Sequence, residues 1–494
     1  MEKIIQFSFE PGDAVFCNGW QSWSCSREFR RGERQTGLGW LGKLVPRFAK
    51  VSGDYDFTKY KKGLFQSSMY GYVRRGDYYF LFGSKSDDNG FTTLYYDMPG
   101  NRIIVDKEGD AEPDMLVFEG AQDEVFDAYF STFNTSKMQK PRLTGYTSWY
   151  NNFTKITQSQ ILEDLQGMDR VKGHANIFQI DDGWQKDIGV WHECNEKFPS
   201  GMKCMADAIH QKGLLAGLWL APFAVQRKSE TAKAHPDWLI YDAKGRPVIC
   251  SVAWGGAYTL DVLNPEVRAY IKTAFDTVLG EWGFDMVKLD FLYGVCSVPR
   301  QGKTRGEIMA YAMDFLRECA GDKIILGCGV PLTSAIGRVN ACRIGCDADI
   351  QYAPRFFNNL NREIISTTNA INNAITRAHL DKRVFSHDPD VFFLRQRGDK
   401  LRYSMRQKRT LAKINKWTGS VLFVSDNMAK YDDEALEIAK EVFDNPSGER
   451  LVKYTTIDRW NYEIHTNLAK YKLNLKKGVL TRCDGTENTQ RSTD

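Results

Sequence analysis

A rhythm running from residue 139 to 430 constrains the fold most. Short apolar runs alternate there with longer amphipathic ones, the pattern of parallel strands joined by helical crossovers. Eight runs read as strands, near 143–147, 175–180, 214–219, 285–289, 324–328, 342–345, 383–386 and 420–424. Helices fit at 158–170, 203–212, 265–280, 305–320, 362–379 and 404–416. Asn264-Pro265 gives one of them a defined start, with proline at the first helical position. Open α/β sheets more often have about five to seven strands, so eight predict a TIM (β/α)8 barrel. The segment 220–263 between the third and fourth strands is a long insertion, and insertions of that length tend to be functional.

The flanks differ. Residues 1–138 mostly lack helical periodicity and alternate short apolar runs with Gly, Asp and Asn turns, which predicts a β-sandwich. The clearest pair is 78–82 and 93–96, read as a hairpin around Asp87-Asp88-Asn89-Gly90. The tail, 431–494, opens with a helix from Asp432 to Phe443. Alternating runs at 451–455, 461–465 and 471–475 then predict a small antiparallel β-domain, and Cys483 to Asp494 reads as a frayed end. The expected class is α/β, in three domains: 1–138, 139–430 and 431–494.

Composition removes several functions. A net charge of +4 spread over 494 residues gives no basic patch for nucleic acid. No run of 18 or more apolar residues suggests a membrane span. The N-terminus, Met1 to Gln6, has no apolar signal region. The 11 cysteines show no CxxC spacing, which fits free thiols in the cytoplasm. Histidines lack HxH and HExxH pairing, and neither GxSxG nor a strand-linked GxGxxG is present, so no metal or cofactor is expected.

A barrel's chemistry sits where its strands end. Those ends carry Ser148-Trp149-Tyr150, Asp181-Asp182-Gly183-Trp184, Trp219, Lys288 with Asp290, Cys328-Gly329, Arg343 leading to Asp347, His387-Asp388-Pro389-Asp390 and Ser425-Asp426. Lys288 and Asp290 are two apart, so they share one face of their strand. So many polar and aromatic groups on one rim suit glycoside hydrolysis, which needs two carboxyl groups, one able to donate a proton. Asp290 beside the Lys288 ammonium suits a nucleophile, because a nearby cation favours the carboxylate. Asp347 suits a general acid. Asp181 and Asp182 suit sugar hydroxyls, if a turn at Gly183 brings both to the mouth. The loop Asn18-Gly19-Trp20-Gln21-Ser22-Trp23 exposes two tryptophans unless they pack on the barrel or reach a ligand.

Taken together, these segments resemble the α-galactosidases of glycoside hydrolase family 36, and more loosely those of family 27. The likeness rests on NGWQSW at 18–23, SWY at 148–150, FQIDDGWQKDIG at 178–189, GLWLAPF at 217–223, KLDF at 288–291, LGCGVPL at 326–332, RIGCD at 343–347 and HDPD at 387–390. The resemblance implies a retaining enzyme for terminal α-linked galactose of oligosaccharides, with Asp290 as nucleophile and Asp347 as acid/base. It implies Asp181, Asp182 and Lys288 on the galactose hydroxyls, Arg343 and Cys328 near C2, Trp219 and Trp149 along the pocket, and Trp20 reaching in from the N-terminal domain. Cys346 and Ala348 stand where the family often has proline and threonine, and Asp349 adds a second carboxylate two residues from Asp347. Within the same scaffold, an α-N-acetylgalactosaminidase or a galactosyl transferase is the alternative. A sugar-binding protein on a dead scaffold would lack one of the two carboxylates.

Overall fold

The computed structural model describes residues 2–37, 61–353, 365–395 and 402–483. Eight strands form the central sheet: β1 Leu143–Thr147, β2 Ile177–Ile180, β3 Leu215–Leu220, β4 Met286–Leu289, β5 Ile324–Gly327, β6 Ala341–Arg343, β7 Ser386–Asp388 and β8 Val421–Val424. They lie in the order β7-β6-β5-β4-β3-β2-β1-β8, every neighbouring pair parallel. At the seam, the Ser420 N–H donates to the His387 carbonyl at 3.0 Å and Phe392 bridges to Val424. The sheet is therefore a nearly closed TIM barrel.

Close strand approach sets one residue choice. A Cβ on Gly145, in β1, would stand 1.9 Å from the Ile177 carbonyl oxygen of β2. That oxygen is backbone and cannot swing away. Gly145→Ala is expected to destabilise the protein by about 1–3 kcal/mol, the range for forcing extra volume into a packed core, and the denaturant midpoint measures it.

The helices lie where the sequence spacing puts them. Gln158–Gly167, Gly201–Gln211, Pro265–Phe275, Arg305–Ala320, Thr367–Thr376 and Met405–Thr418 pack around the barrel. The Asn264 side chain caps Pro265–Phe275 by accepting from the Glu266 N–H at 2.9 Å. Residues 362–364 of the helix expected at 362–379 lie outside the described residues. The insertion 220–263 carries a three-stranded antiparallel sheet of Ala224–Gln226, Ile249–Ser251 and Ala257–Thr259.

N-terminal to the barrel, a four-stranded and a five-stranded antiparallel sheet pack face to face. The hairpin expected around residues 87–90 is not formed. Tyr78–Ser84 pairs with Tyr70–Arg75 and Met115–Gly120, whereas Thr92–Asp97 pairs with Leu64–Ser68 and Arg102–Lys107 in the other sheet. The Asp87–Gly90 turn crosses between sheets, so both strands gain a full partner on each side.

The 18–23 loop is bolted to the barrel. Gln21 bridges to Pro331, and the Ser22 N–H donates to the Val330 carbonyl at 2.9 Å. The fully buried Arg377 guanidinium donates to the carbonyls of Gly19, Ser22 and Ile344.

After the barrel, Asp433–Asp444 starts on an Asp432 cap and precedes four antiparallel strands: Leu451–Thr456, Asn461–Thr466, Lys470–Asn474 and Val479–Arg482. The fourth was not foreseen, and the end expected to fray lies, from residue 484, outside the described residues. Among the described residues, no helix is long and apolar enough to cross a membrane.

Candidate active site

A cavity of about 360 Å³ opens at the C-terminal ends of the barrel strands. Its walls include Trp149, Asp181, Asp182, Trp219, Lys288, Asp290 and Asp347, all singled out from the sequence. Cys328 and Arg343 stand directly behind them. Trp20 lies elsewhere.

Asp290 follows β4 and is 8% exposed. Its carboxylate accepts from the Trp219 indole N–H at 3.1 Å and from the Phe291 N–H at 2.8 Å. Phe291 is in the left-handed region, φ 55°, which is strained for an aromatic residue. That strain turns the Phe291 amide onto the Asp290 side chain. Burial pushes the Asp290 carboxyl above the usual range, and the Lys288 ammonium opposes the shift.

Lys288 points across the barrel. Its Nζ lies 2.8 Å from Asp181 Oδ2, a pair almost closed to solvent. The direct partner of the ammonium is therefore Asp181, and Asp290 feels it at longer range. Burial would lower the Lys288 pKa, but the Asp181 carboxylate outweighs it and holds the group charged. The Gln179 side-chain amide also donates to Asp181, at 2.8 Å.

Gly183, at φ 118°, makes the turn that brings both acidic neighbours to the cavity; a Cβ there would meet the Thr154 backbone at 2.8 Å. The Asp182 carboxylate accepts from Gln185 Nε2 at 2.6 Å and from the Trp254 indole N–H at 2.8 Å. Burial pushes its pKa up to about 6 against those bonds.

Asp347 stands after β6, its side chain 33% exposed, with Oδ1 2.9 Å from Arg343 Nη2. Asp349 is held away from the cavity by its backbone: its N–H donates to Thr367 Oγ1 and its carbonyl accepts from the Tyr403 hydroxyl. Of the two carboxylates, Asp347 is the one on the cavity wall.

Three tryptophans sit differently from the sequence reading. Trp20 packs between domains, under Arg305 at 4.8 Å and edge-on to Phe91 at 5.8 Å. Its neighbour Trp23 lines the cavity instead, edge-on to Phe291 at 5.2 Å and donating from Nε1 to Cys328 Sγ at 3.3 Å. The loop carries one tryptophan for each use, three residues apart. Trp254, from the insertion, was not singled out. Its φ of 57° turns the indole onto Asp182, 6.0 Å from Trp219 and 5.1 Å from Phe291. Its only sequence signal is an aromatic beside Gly255-Gly256 in a long insertion. Trp23→Ala is expected to raise KM about tenfold, or about 1.4 kcal/mol, with little change in Tm. Trp20→Ala is expected to lower Tm and leave KM alone. Steady-state kinetics and calorimetry on the two variants check the split.

The melibiase family model matches residues 124–316, which hold β1 to β4 and Asp181, Asp182, Lys288 and Asp290. The α-galactosidase TtGalA of Thermus thermophilus, solved with p-nitrophenyl α-D-galactopyranoside, superposes with a TM-score of 0.76 at 26% identity, over 94% of this chain and 91% of that one. The chain is similar to the melibiases, the α-galactosidases of glycoside hydrolase family 36. Among curated relatives, the α-galactosidase Mel36A of Lactobacillus acidophilus is 31% identical over 121 residues, which is 23% of this chain and 16% of Mel36A. An A type blood α-D-galactosamine galactosaminidase of Flavonifractor plautii is 29% identical over 205 residues, 37% of this chain and 18% of that protein. The aligned stretches thus span less than a quarter of the length of these curated relatives.

Among the described residues, no group of three or more His, Cys, Asp or Glu side chains is placed to hold a metal ion.

Proposed function

We propose that this chain is a retaining α-galactosidase that removes terminal α-linked galactose from oligosaccharides. The observation that carries the reading is that Asp290 and Asp347, at the ends of β4 and β6, face one aromatic-lined cavity together with Lys288, Asp181 and Asp182. TtGalA, which has also been solved with stachyose, supports the substrate class.

Asp290 attacks C1 of the galactosyl ring while Asp347 gives its proton to the departing glycosidic oxygen. The C1–O bond to the aglycone breaks and an ester to Asp290 forms. Asp347, now a carboxylate, takes a proton from water, whose oxygen attacks C1 and frees Asp290. Two displacements return the α configuration. The deep position of Asp290 suits a nucleophile shielded from water, and the exposure of Asp347 suits a group that exchanges protons with solvent. Lys288, Asp181 and Asp182 give the ring hydroxyls donors and acceptors. Trp149, Trp219 and Trp23 cover the apolar faces of the sugar.

A panel of nitrophenyl α-glycosides tests the substrate, with the N-acetylgalactosaminide as the competing arm. Galactoside turnover should exceed the others. Proton NMR of the first-formed sugar tests the stereochemistry: α-galactose is expected, and β-galactose as first product would refute retention.

A further inference from the structure

Behind Asp347 lies a buried network that stops short of the cavity. Arg343, 1% exposed, is its centre. Its Nη2 is 2.9 Å from Asp347 Oδ1 and 2.7 Å from Asp390 Oδ2. Asp390, 4% exposed, follows β7 with φ 74°, a strained conformation that persists only where the surroundings fix it. The surroundings do fix it. Its Oδ2 also accepts from the Tyr150 hydroxyl at 2.5 Å and from the Ala348 N–H at 2.6 Å. Its own N–H donates to Asp388 Oδ1 at 2.9 Å, and Asn415 Nδ2 donates to its carbonyl at 3.0 Å.

Asp390 therefore grips Asp347 from two sides, through the guanidinium that pairs with it and through the amide next to it in the chain. One cation serves two carboxylates. The geometry points to Asp390 as the positioning residue of the proton-transfer step: it fixes the segment carrying Asp347 and keeps the Arg343 guanidinium from neutralising Asp347 alone. This rests on the reading of Asp347 as acid/base. A guanidinium given wholly to Asp347 would favour its carboxylate form and oppose proton donation. The other charged or titratable groups facing the cluster are Lys288, Asp290, Asp349, Asp388, Tyr150, Tyr403, Cys328 and Cys346. Arg343 is the cation in contact with both carboxylates. Burial pushes Asp390 up to about 6, with Arg343 opposing, so its effect is read above that pH.

The test compares wild type, Asp390→Asn, Tyr150→Phe and Asp347→Ala on two substrates. Dinitrophenyl α-galactoside has a leaving group that needs no proton; methyl α-galactoside has one that does. Asp390→Asn is expected to lose about 100-fold in kcat/KM on the methyl glycoside and less than about threefold on the dinitrophenyl glycoside, the signature of impaired general acid catalysis. The basic limb of its kcat/KM profile should move down by about one pH unit. Tyr150→Phe keeps both carboxylates but removes the phenol from Asp390, which then draws Arg343 harder, so the basic limb should move up. If Asp390→Asn does not fold, the direction of the Tyr150→Phe shift decides. Equal losses on both substrates, or an unmoved basic limb in the soluble variants, would overturn the inference. Absence of leaving-group dependence in Asp347→Ala would overturn the acid/base reading and this inference with it. Dependence present there but absent in Asp390→Asn would overturn the inference alone.

Discussion

Asp290→Asn is expected to fold normally and to lose about 10³-fold or more in kcat on any α-galactoside. The amide is nearly the size of the carboxylate and still accepts one of the two N–H bonds made by Trp219 and Phe291. It carries no charge to bury, which matters where burial already pushes the carboxyl upward. Tm should therefore change little. What is lost is the oxygen that forms the glycosyl ester, and covalent catalysis goes with it. Single-turnover kinetics and calorimetry on one preparation separate the effects. A variant keeping about a tenth of wild-type kcat would mean that another group is the nucleophile.

Lys288→Met is expected to cost stability and binding together. The ammonium is 2.8 Å from Asp181 in a nearly dry site, so its removal leaves a buried carboxylate with only neutral donors, the Gln179 amide, the Asp182 N–H and the Thr147 hydroxyl. Breaking such a pair from one side costs about 3–5 kcal/mol, far more than a surface pair. Adding Asp181→Asn removes the stranded charge and should restore much of the stability, though not turnover, because both groups line the cavity. Denaturant unfolding of the two single variants and the double variant measures the coupling. A single variant as stable as wild type would show that the pair is not held as described.

The sequence was most legible where the signal is local. Apolar runs bounded by turns located seven of the eight barrel strands, since a strand buried on both faces is commonly apolar. The carboxylates were found because barrel sites lie at strand ends. β7 shows the limit. It was expected at 383–386, yet it runs from Ser386 to Asp388, polar residues that are wholly buried. Their partners are distant in sequence: Ser386 Oγ donates to the Pro141 carbonyl and His387 Nδ1 bonds the Thr418 carbonyl. Hydrophobic periodicity cannot register such a strand. Trp20 and Trp23 were equally ambiguous for a similar reason. Which one faces the cavity depends on how Arg377 and the Val330–Pro331 backbone seat their loop, and none of those contacts is local. Trp254 depends on a positive φ in an irregular insertion, and Asp390 on an arginine 47 residues away in sequence, as its number and that of Arg343 give. The misread hairpin is the same problem in the N-terminal domain: turn chemistry at 87–90 marks a reversal and does not say which sheet receives the next strand.

The most direct measurement traps the intermediate. A fluorinated α-galactosyl fluoride slows breakdown of a covalent glycosyl-enzyme more than its formation, so the label accumulates on the nucleophile. Peptide mapping by mass spectrometry of the inactivated protein should place one fluorogalactosyl group on Asp290, with none on Asp290→Asn. Label on any other residue, or rapid turnover with no label, would contradict double displacement through Asp290.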